Sequence, residues 1–192
     1  WKELSKGLVN KIAIAPEREN VTEFIHKANA MGVYVALGHS DASYEDAISA
    51  VDEGANIFVH TYNGMSGLHH RNPGMVGAAM NSDTISELIC DGHHVNPAAA
   101  NALMNVKGRN HIALITDCMS AGGMKDGDYM LGEFPVIVKD GTARLKDGGS
   151  LAGSILKLKD AVKNVVSWEI ADVFEAIQMA SLVPAPTDLA GT

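Results

Sequence analysis

The sequence predicts an α/β fold built from βα units around a parallel sheet. Three observations predict it. Apolar runs begin near residues 11, 33, 56, 85 and 111, each followed by a helix pattern or a long loop. That spacing of roughly 22–29 residues is the rhythm of strand and crossover helix in a parallel sheet. Four of the runs lead into a side chain able to bind a metal or move a proton, namely His39, His60, His94 and Asp117. The carboxyl end of a buried strand is where α/β barrels carry their chemistry. Glycine is plentiful at 19 residues while aromatics make up only 5%, which suits many tight strand-to-helix turns better than a β-sandwich.

Taken in order, residues 11–15 read as a short buried strand ending at Pro16-Glu17. Residues 19–31 read as a helix, with Val21, Phe24, Ile25 and Ala28 at helical spacing and Gly32 as its stop. Strand 33–37 leads to Gly38-His39-Ser40. The next helix, 43–53, opens on the start pattern Ser43-Tyr44-Glu45-Asp46, places Ala47, Ile48 and Val51 on one face and is followed by Gly54. Strand 56–59 ends in His60, and a polar loop rich in Asn, Gly and His runs over 61–73, a length that often carries function. A short Gly/Ala/Met-rich segment then leads to strand 85–90, which ends in Asp91-Gly92-His93-His94. Asn96 caps and Pro97 opens a helix that runs to Lys107 and stops at Gly108. Strand 111–116 ends in Asp117. The segment near 129–147 departs from the repeat, since two β-like runs flank Asp140-Gly141, a hairpin signal. Residues 150–154 lead into a long helix from 155 to about 166, and Asp172 caps a last helix that ends before Pro184. Five βα units are visible where a closed barrel has eight. Either the sheet is open or the chain starts partway round a barrel.

The net charge of −8 argues against a nucleic-acid or anionic-membrane surface. A small phosphate is still compatible with it, because one local arginine and backbone N–H groups can hold one. Cys90 and Cys118 belong to no CxxC pair and lie beside strand ends, so both are expected to be buried free thiols in a reducing cytoplasm. No apolar run approaches the roughly 18 residues of a membrane span, and Trp1-Lys2-Glu3-Leu4 carries no signal-peptide core. With no initiator methionine, the sequence is expected to be a partial or processed chain.

His39 and His60 end consecutive strands. Neighbouring parallel strands lie about 4.8 Å apart, so both imidazoles can reach one ion at Zn–N distances of about 2.0–2.1 Å. The plainer reading of either histidine alone is a polar structural residue. Asp117 is a turn or cap residue, or a general base toward a water that a metal activates. Beside a cation its carboxylate stays ionised near neutral pH and can accept a proton. Of His93 and His94, one reads as an exposed loop residue and the other as a group that polarises a carbonyl or holds a ligand oxygen, and spacing does not choose between them. Arg71 is a solvated loop charge or a planar grip on an anion, with Asn63-Gly64 offering further donors. The Ala152-Gly153-Ser154 turn is a helix cap or a second oxygen-binding place. Glu17 reads as a supporting or structural residue ahead of a metal ligand.

Gly38-His39-Ser40, His60-Thr61-Tyr62-Asn63-Gly64-Met65, Arg71-Asn72-Pro73-Gly74, Asp91-Gly92-His93-His94-Val95, Thr116-Asp117 and Leu151-Ala152-Gly153-Ser154 stand in that order along the chain. Together, from about Lys11 to the C-terminus, they resemble the N-acetylglucosamine-6-phosphate deacetylase family of the amidohydrolase superfamily. The resemblance implies a TIM-like (β/α) barrel of the metal-dependent hydrolase type. Residues 1–192 would form one partial barrel domain holding strands four to eight, with the first three strands and a small β-domain absent. It implies a divalent metal, zinc or alternatively iron, held by His39 and His60, and a catalytic base in Asp117. It assigns substrate contacts to Asn63, Gly64, Arg71, Asp91, Gly92, His93, His94, Leu151, Ala152 and Gly153, with Arg71 reaching a phosphate across a homodimer interface. The implied reaction is hydrolysis of the acetamide of N-acetylglucosamine 6-phosphate to glucosamine 6-phosphate and acetate, in the cytoplasm. The family's third metal ligand lies in a His-Leu-Glu-Gly-Pro segment that does not occur here, and Glu17 corresponds to the strand after it. Two other readings stay open. One is a catalytically incomplete fragment that binds sugar phosphate or is only structural, supported by the missing glutamate. The other is an amidohydrolase acting on a cyclic amide, which the loop at 63–71 speaks against.

Overall fold

The structure is a computed structural model that describes residues 1–185. Strand and helix alternate as β1 (Lys11–Ile14), α1 (Val21–Ala30), β2 (Tyr34–Leu37), α2 (Tyr44–Asp52), β3 (Ile57–Phe58), α3 (Gly74–Met80), β4 (Ile85–Leu88), α4 (Pro97–Lys107) and β5 (Ile112–Leu114). Three further strands follow, β6 (Gly127–Leu131), β7 (Phe134–Lys139) and β8 (Thr142–Leu145), and then α5 (Leu158–Ser167) and α6 (Val173–Ala180). The first five strands make one sheet in chain order, parallel where β1, β2, β3 and β4 pair. The chain divides into two compact units, one of Trp1–Glu87 with Leu103–Ile112, the other of Leu88–Ala102 with the chain from Ala113 onward.

Within the first unit the sheet is strongly coiled. Register sets Lys11 level with Tyr34 and Ala36 level with Ile57, which puts Tyr34 level with Ala55. Ile57 is level with Ile85, so Ala55 is level with Asp83. Yet the Lys11 ammonium meets the carboxylate of Glu87, four residues beyond Asp83. In a flat sheet, three strand spacings and four residues of rise would part the two Cα atoms by about 20 Å, beyond the reach of two side chains. The ion pair closes only because the strands tilt and the sheet curls, the geometry by which parallel sheets approach barrel closure. The opposite face carries the core. Val35, Leu37 and Phe58 from the strands pack with Ile25, Ala47, Ala50, Met75 and Ala78 from α1, α2 and α3.

Local signals explain most boundaries. At α2 the Ser43 hydroxyl accepts from the Asp46 N–H at 3.0 Å while the Asp46 carboxylate accepts from the Ser43 N–H, a capping box that closes two orphan donors. Asp172 and Glu175 repeat it at α6. Asn96 accepts from the Ala98 N–H at 2.9 Å ahead of α4. Three expectations need correction. Helix 19–31 begins later, at Val21, because Asn20 stands in the left-handed region at φ 61. The helix expected from 155 begins at Leu158, since Ser154 and Leu156 are tied into the preceding turn. The Gly/Ala/Met-rich segment is itself a helix, α3. Its two glycines lower helix propensity, but tertiary packing of an almost wholly buried turn against α2 outweighs that term.

The excursion is also larger than a hairpin. Three antiparallel strands, ordered β6-β7-β8, make a separate sheet. Asp140 and Gly141, at φ 50 and 77, form the expected tight turn with both central residues left-handed. Gly132-Glu133 makes a second turn that the sequence reading passed over. Val136, Val138 and Ala143 form the buried face with Met119, Ala121 and Ala152. Among the described residues, no helix is long and apolar enough to cross a membrane.

Lys107, the last residue of α4, closes the C-terminal end of α3. Its ammonium donates to the carbonyls of Ala79 at 2.8 Å and Ser82 at 2.7 Å. Burial pulls its pKa down to about 8 from 10.5, against the opposing charge of Asp83. Between pH 8 and 10.5 the unfolded chain therefore binds more protons at this site than the folded one, and stability rises with pH across that window. Cys90 works the other way, because burial pushes its thiol up to about 12. Comparison with Lys107→Met cancels that term. The urea midpoint of the unsubstituted protein should climb relative to Lys107→Met between pH 8 and 10, and a difference independent of pH would refute the assignment.

Candidate functional site

His39, His60 and Asp117 share a backbone feature that composition could not show. Their φ angles are 50, 28 and 46. A non-glycine residue there carries a cost of order 1–2 kcal/mol and persists only where the surroundings hold it, a pattern concentrated at functional sites. All three stand just past strand ends, where the chain must swing sharply from strand into loop.

In the first unit, Gly38 lets β2 and the end of β3 approach closely. A Cβ at Gly38 would lie 2.2 Å from Val59 Cγ2. The approach brings His39 Nε2 to 2.9 Å from His60 Nε2, with ring centroids 4.6 Å apart and planes at 82°. His60 Nδ1 lies 3.0 Å from the Asn63 carbonyl. A carbonyl only accepts, so Nδ1 carries the proton and Nε2 presents its lone pair toward His39. Two ring nitrogens facing each other in this way need a proton or a cation between them. Imidazole nitrogens are donors that suit zinc or iron, and the pair fits a metal held from two strand ends. Among the described residues, no group of three or more His, Cys, Asp or Glu side chains gathers at a metal-sized site. Glu17 is engaged elsewhere, its carboxylate accepting from the Ser40 hydroxyl at 2.6 Å.

The loop after His60 is tied back to that pair. Tyr62 and Gly64 also take positive φ, 82 and 58, and burial raises the Tyr62 hydroxyl above its usual pKa. The Asn63 side-chain amide donates to the His60 carbonyl at 3.2 Å, and the Ser40 N–H donates to the Gly64 carbonyl at 2.9 Å. Asn63 and Gly64 thus adjoin His60 and His39. Ser66 anchors the next stretch, donating to the Ala42 carbonyl at 2.6 Å and accepting from the Met75 N–H at 2.8 Å. Arg71 lies apart, exposed at the loop tip, its guanidinium 2.7 Å from His70 Nε2.

In the second unit, Asp91 organises its own loop. One carboxylate oxygen accepts the N–H groups of His93 and His94, both at 2.8 Å, and the other lies 2.6 Å from His94 Nδ1. Burial alone would raise the Asp91 carboxyl. The hydrogen bonds from the His94 ring and from the backbone of His94 and His93 outweigh it and hold the pKa below the usual carboxylate value. The two histidines are thereby distinguished. His94 is nearly buried and its ring is oriented by Asp91, while His93 is exposed, with Gly141 of the β7–β8 turn beside its ring. Gly92, at φ 79, supplies the turn between Asp91 and the two histidines.

Asp117 is exposed beyond β5. Leu151, Ala152 and Gly153 run beside it. The Ala152 N–H donates to the Ala143 carbonyl at 3.1 Å, Leu151 bridges Arg144, and the Ser154 N–H donates to the Asp117 carbonyl at 2.9 Å. Cys90 is buried as expected, but Cys118 is exposed. It follows the outward swing at Asp117, where the strand pattern has already ended. The sequence reading gave Ser66 no role and named Ser154 only as part of a turn, because a serine in a polar turn gives no sign of how many partners it will find.

No protein-family model matches the chain. The N-acetylglucosamine-6-phosphate deacetylase of Vibrio furnissii is 45% identical over 186 residues, 96% of this chain and 46% of its own length. A relative from Escherichia coli (strain K12), named for the deacetylation of N-acetylgalactosamine 6-phosphate, is 50% identical over 128 residues, 66% of this chain and 75% of that protein. The crystal structure of N-acetylglucosamine-6-phosphate deacetylase from Pasteurella multocida matches with a TM-score of 0.89 at 30% identity, over 96% of this chain and 48% of that one. The chain spans about half the length of the Vibrio relative and of the Pasteurella structure.

Proposed function

The chain belongs to the N-acetylglucosamine-6-phosphate deacetylase family, and from that premise we propose that it supplies strands four to eight of a metal-dependent barrel that hydrolyses the acetamide of N-acetylglucosamine 6-phosphate to glucosamine 6-phosphate and acetate. The observation that carries this reading is the facing Nε2 atoms of His39 and His60 at 2.9 Å, with the tautomer of His60 set by the Asn63 carbonyl. In this proposal these two histidines hold the metal, zinc ahead of iron. When bound, the metal supplies activation of the attacking water and polarisation of the amide.

The chain's own residues do the rest. The Asp117 carboxylate takes a proton from the attacking water and delivers it to the departing amine nitrogen. His94, whose Nδ1 is committed to Asp91, contacts the sugar and the scissile carbonyl region. Asp91, Gly92 and His93 shape that loop. Asn63 and Gly64 contact the sugar phosphate, as do Leu151, Ala152 and Gly153, while Arg71 grips the phosphate of the partner's substrate in a homodimer. The exposure of Arg71 at a loop tip supports that last role. A cytoplasmic setting agrees with the two free thiols.

A second reading rests on the relative from Escherichia coli (strain K12), whose name specifies the galactosamine epimer. Both readings are tested together by elemental analysis of the purified protein and by acetate release from the two epimers. About one zinc or iron per chain with faster release from the glucosamine substrate supports the first. Faster release from the galactosamine substrate selects the second. Neither metal nor release rejects both.

A further inference from the structure

Ser154 is 1% exposed, and each of its polar groups is used on the segment that carries Asp117. Its N–H donates to the Asp117 carbonyl and its carbonyl accepts from the Met119 N–H, both at 2.9 Å. Its hydroxyl donates to the Thr116 carbonyl and accepts from the Leu156 N–H at 3.1 Å. The carbonyls on both sides of the Asp117 Cα are thus held by one residue. Those two peptide planes define the left-handed conformation at φ 46, which aspartate tolerates better than most residues but still at a cost that fixed neighbouring carbonyls offset. Ser154 also closes the Leu151-Ala152-Gly153 stretch. Gly153 has φ 62, a backbone conformation that strains any side chain, while a Cβ there would meet only ordinary contacts, 3.4 Å from Met119 Cβ and 3.5 Å from the Asp117 carbonyl oxygen, so glycine suits this position for its backbone.

We infer that Ser154 is a positioning residue for Asp117, its hydroxyl holding the aspartate in the left-handed conformation that aims its carboxylate. The inference rests on the role given to Asp117 in the proposed function. Its test takes Ser154→Ala in the full chain, with Ser154→Cys as the volume-preserving variant should alanine fail to fold. Crystal structures and acetate release from N-acetylglucosamine 6-phosphate are the readouts. Asp117 should relax to negative φ. The kcat should fall about 10- to 100-fold, the scale of a misplaced catalytic group, with KM within about threefold. A merely structural serine would lower the yield of folded protein and leave the kcat of the folded fraction unchanged. Retention of positive φ at Asp117, or of kcat within about threefold, overturns the inference. Absence of acetate release from the unsubstituted protein would sink the functional reading alone, since the Asp117 backbone in the variant structure still decides the claim about Ser154.

Discussion

Asp117→Asn in a catalytically competent form of the protein should lower kcat for deacetylation about 10³-fold, within the 10²–10⁴ range expected of a positioned general acid–base group. KM and metal content should stay nearly constant. The substitution isolates protonation from structure for two reasons. Asparagine is, with aspartate, the non-glycine residue that best tolerates the left-handed region, so φ 46 persists. The side chain is exposed, and the bonds that hold the segment run through backbone carbonyls to Ser154, which the change leaves intact. Thermal stability should therefore move by no more than about 0.5 kcal/mol. Rates within about tenfold of the unsubstituted protein would remove Asp117 from the role of base.

The βα rhythm was legible because each apolar run is short and nearly continuous, the pattern of strands buried on both faces, although β1, expected to be buried, holds no buried residue. Caps at Ser43, Asn96 and Asp172 were legible for the same local reason. The α3 helix was not, because seven residues with two glycines make a helix only when α2 is already there to bury them. The coil of the sheet was equally hidden. Lys11 and Glu87 are 76 residues apart, and their pairing follows from register and tilt, which no local pattern encodes.

At the site, the sequence placed metal-competent residues at strand ends but could not place their nitrogens. That His39 and His60 face each other depends on Gly38 admitting Val59, and on the turn that brings the Asn63 carbonyl back to His60. Nor could it separate His93 from His94. The difference lies in the ring of His94 meeting the second oxygen of Asp91 while its neighbour turns outward, a matter of backbone direction after Gly92. His39, His60 and Asp117 share left-handed φ as well as their place past strand ends, and histidine and aspartate gave no warning of it.

His60→Asn should abolish metal retention. Asparagine again suits the left-handed backbone, so the loss of Nε2 is separated from strain at φ 28. What remains is His39 alone, and a single neutral imidazole has no chelate partner with which to compete against water. Metal content should drop from about one ion per chain to less than about 0.1, and metal-dependent turnover should vanish with it. His94→Asn is the matched control. Its ring is committed to Asp91 at 2.6 Å, so metal content should be unchanged while kcat falls. Full metal content in His60→Asn would mean that the facing nitrogens of His39 and His60 share only a proton. Loss of metal in both variants would mean that the two-histidine assignment is too narrow and that His94 belongs among the ligands.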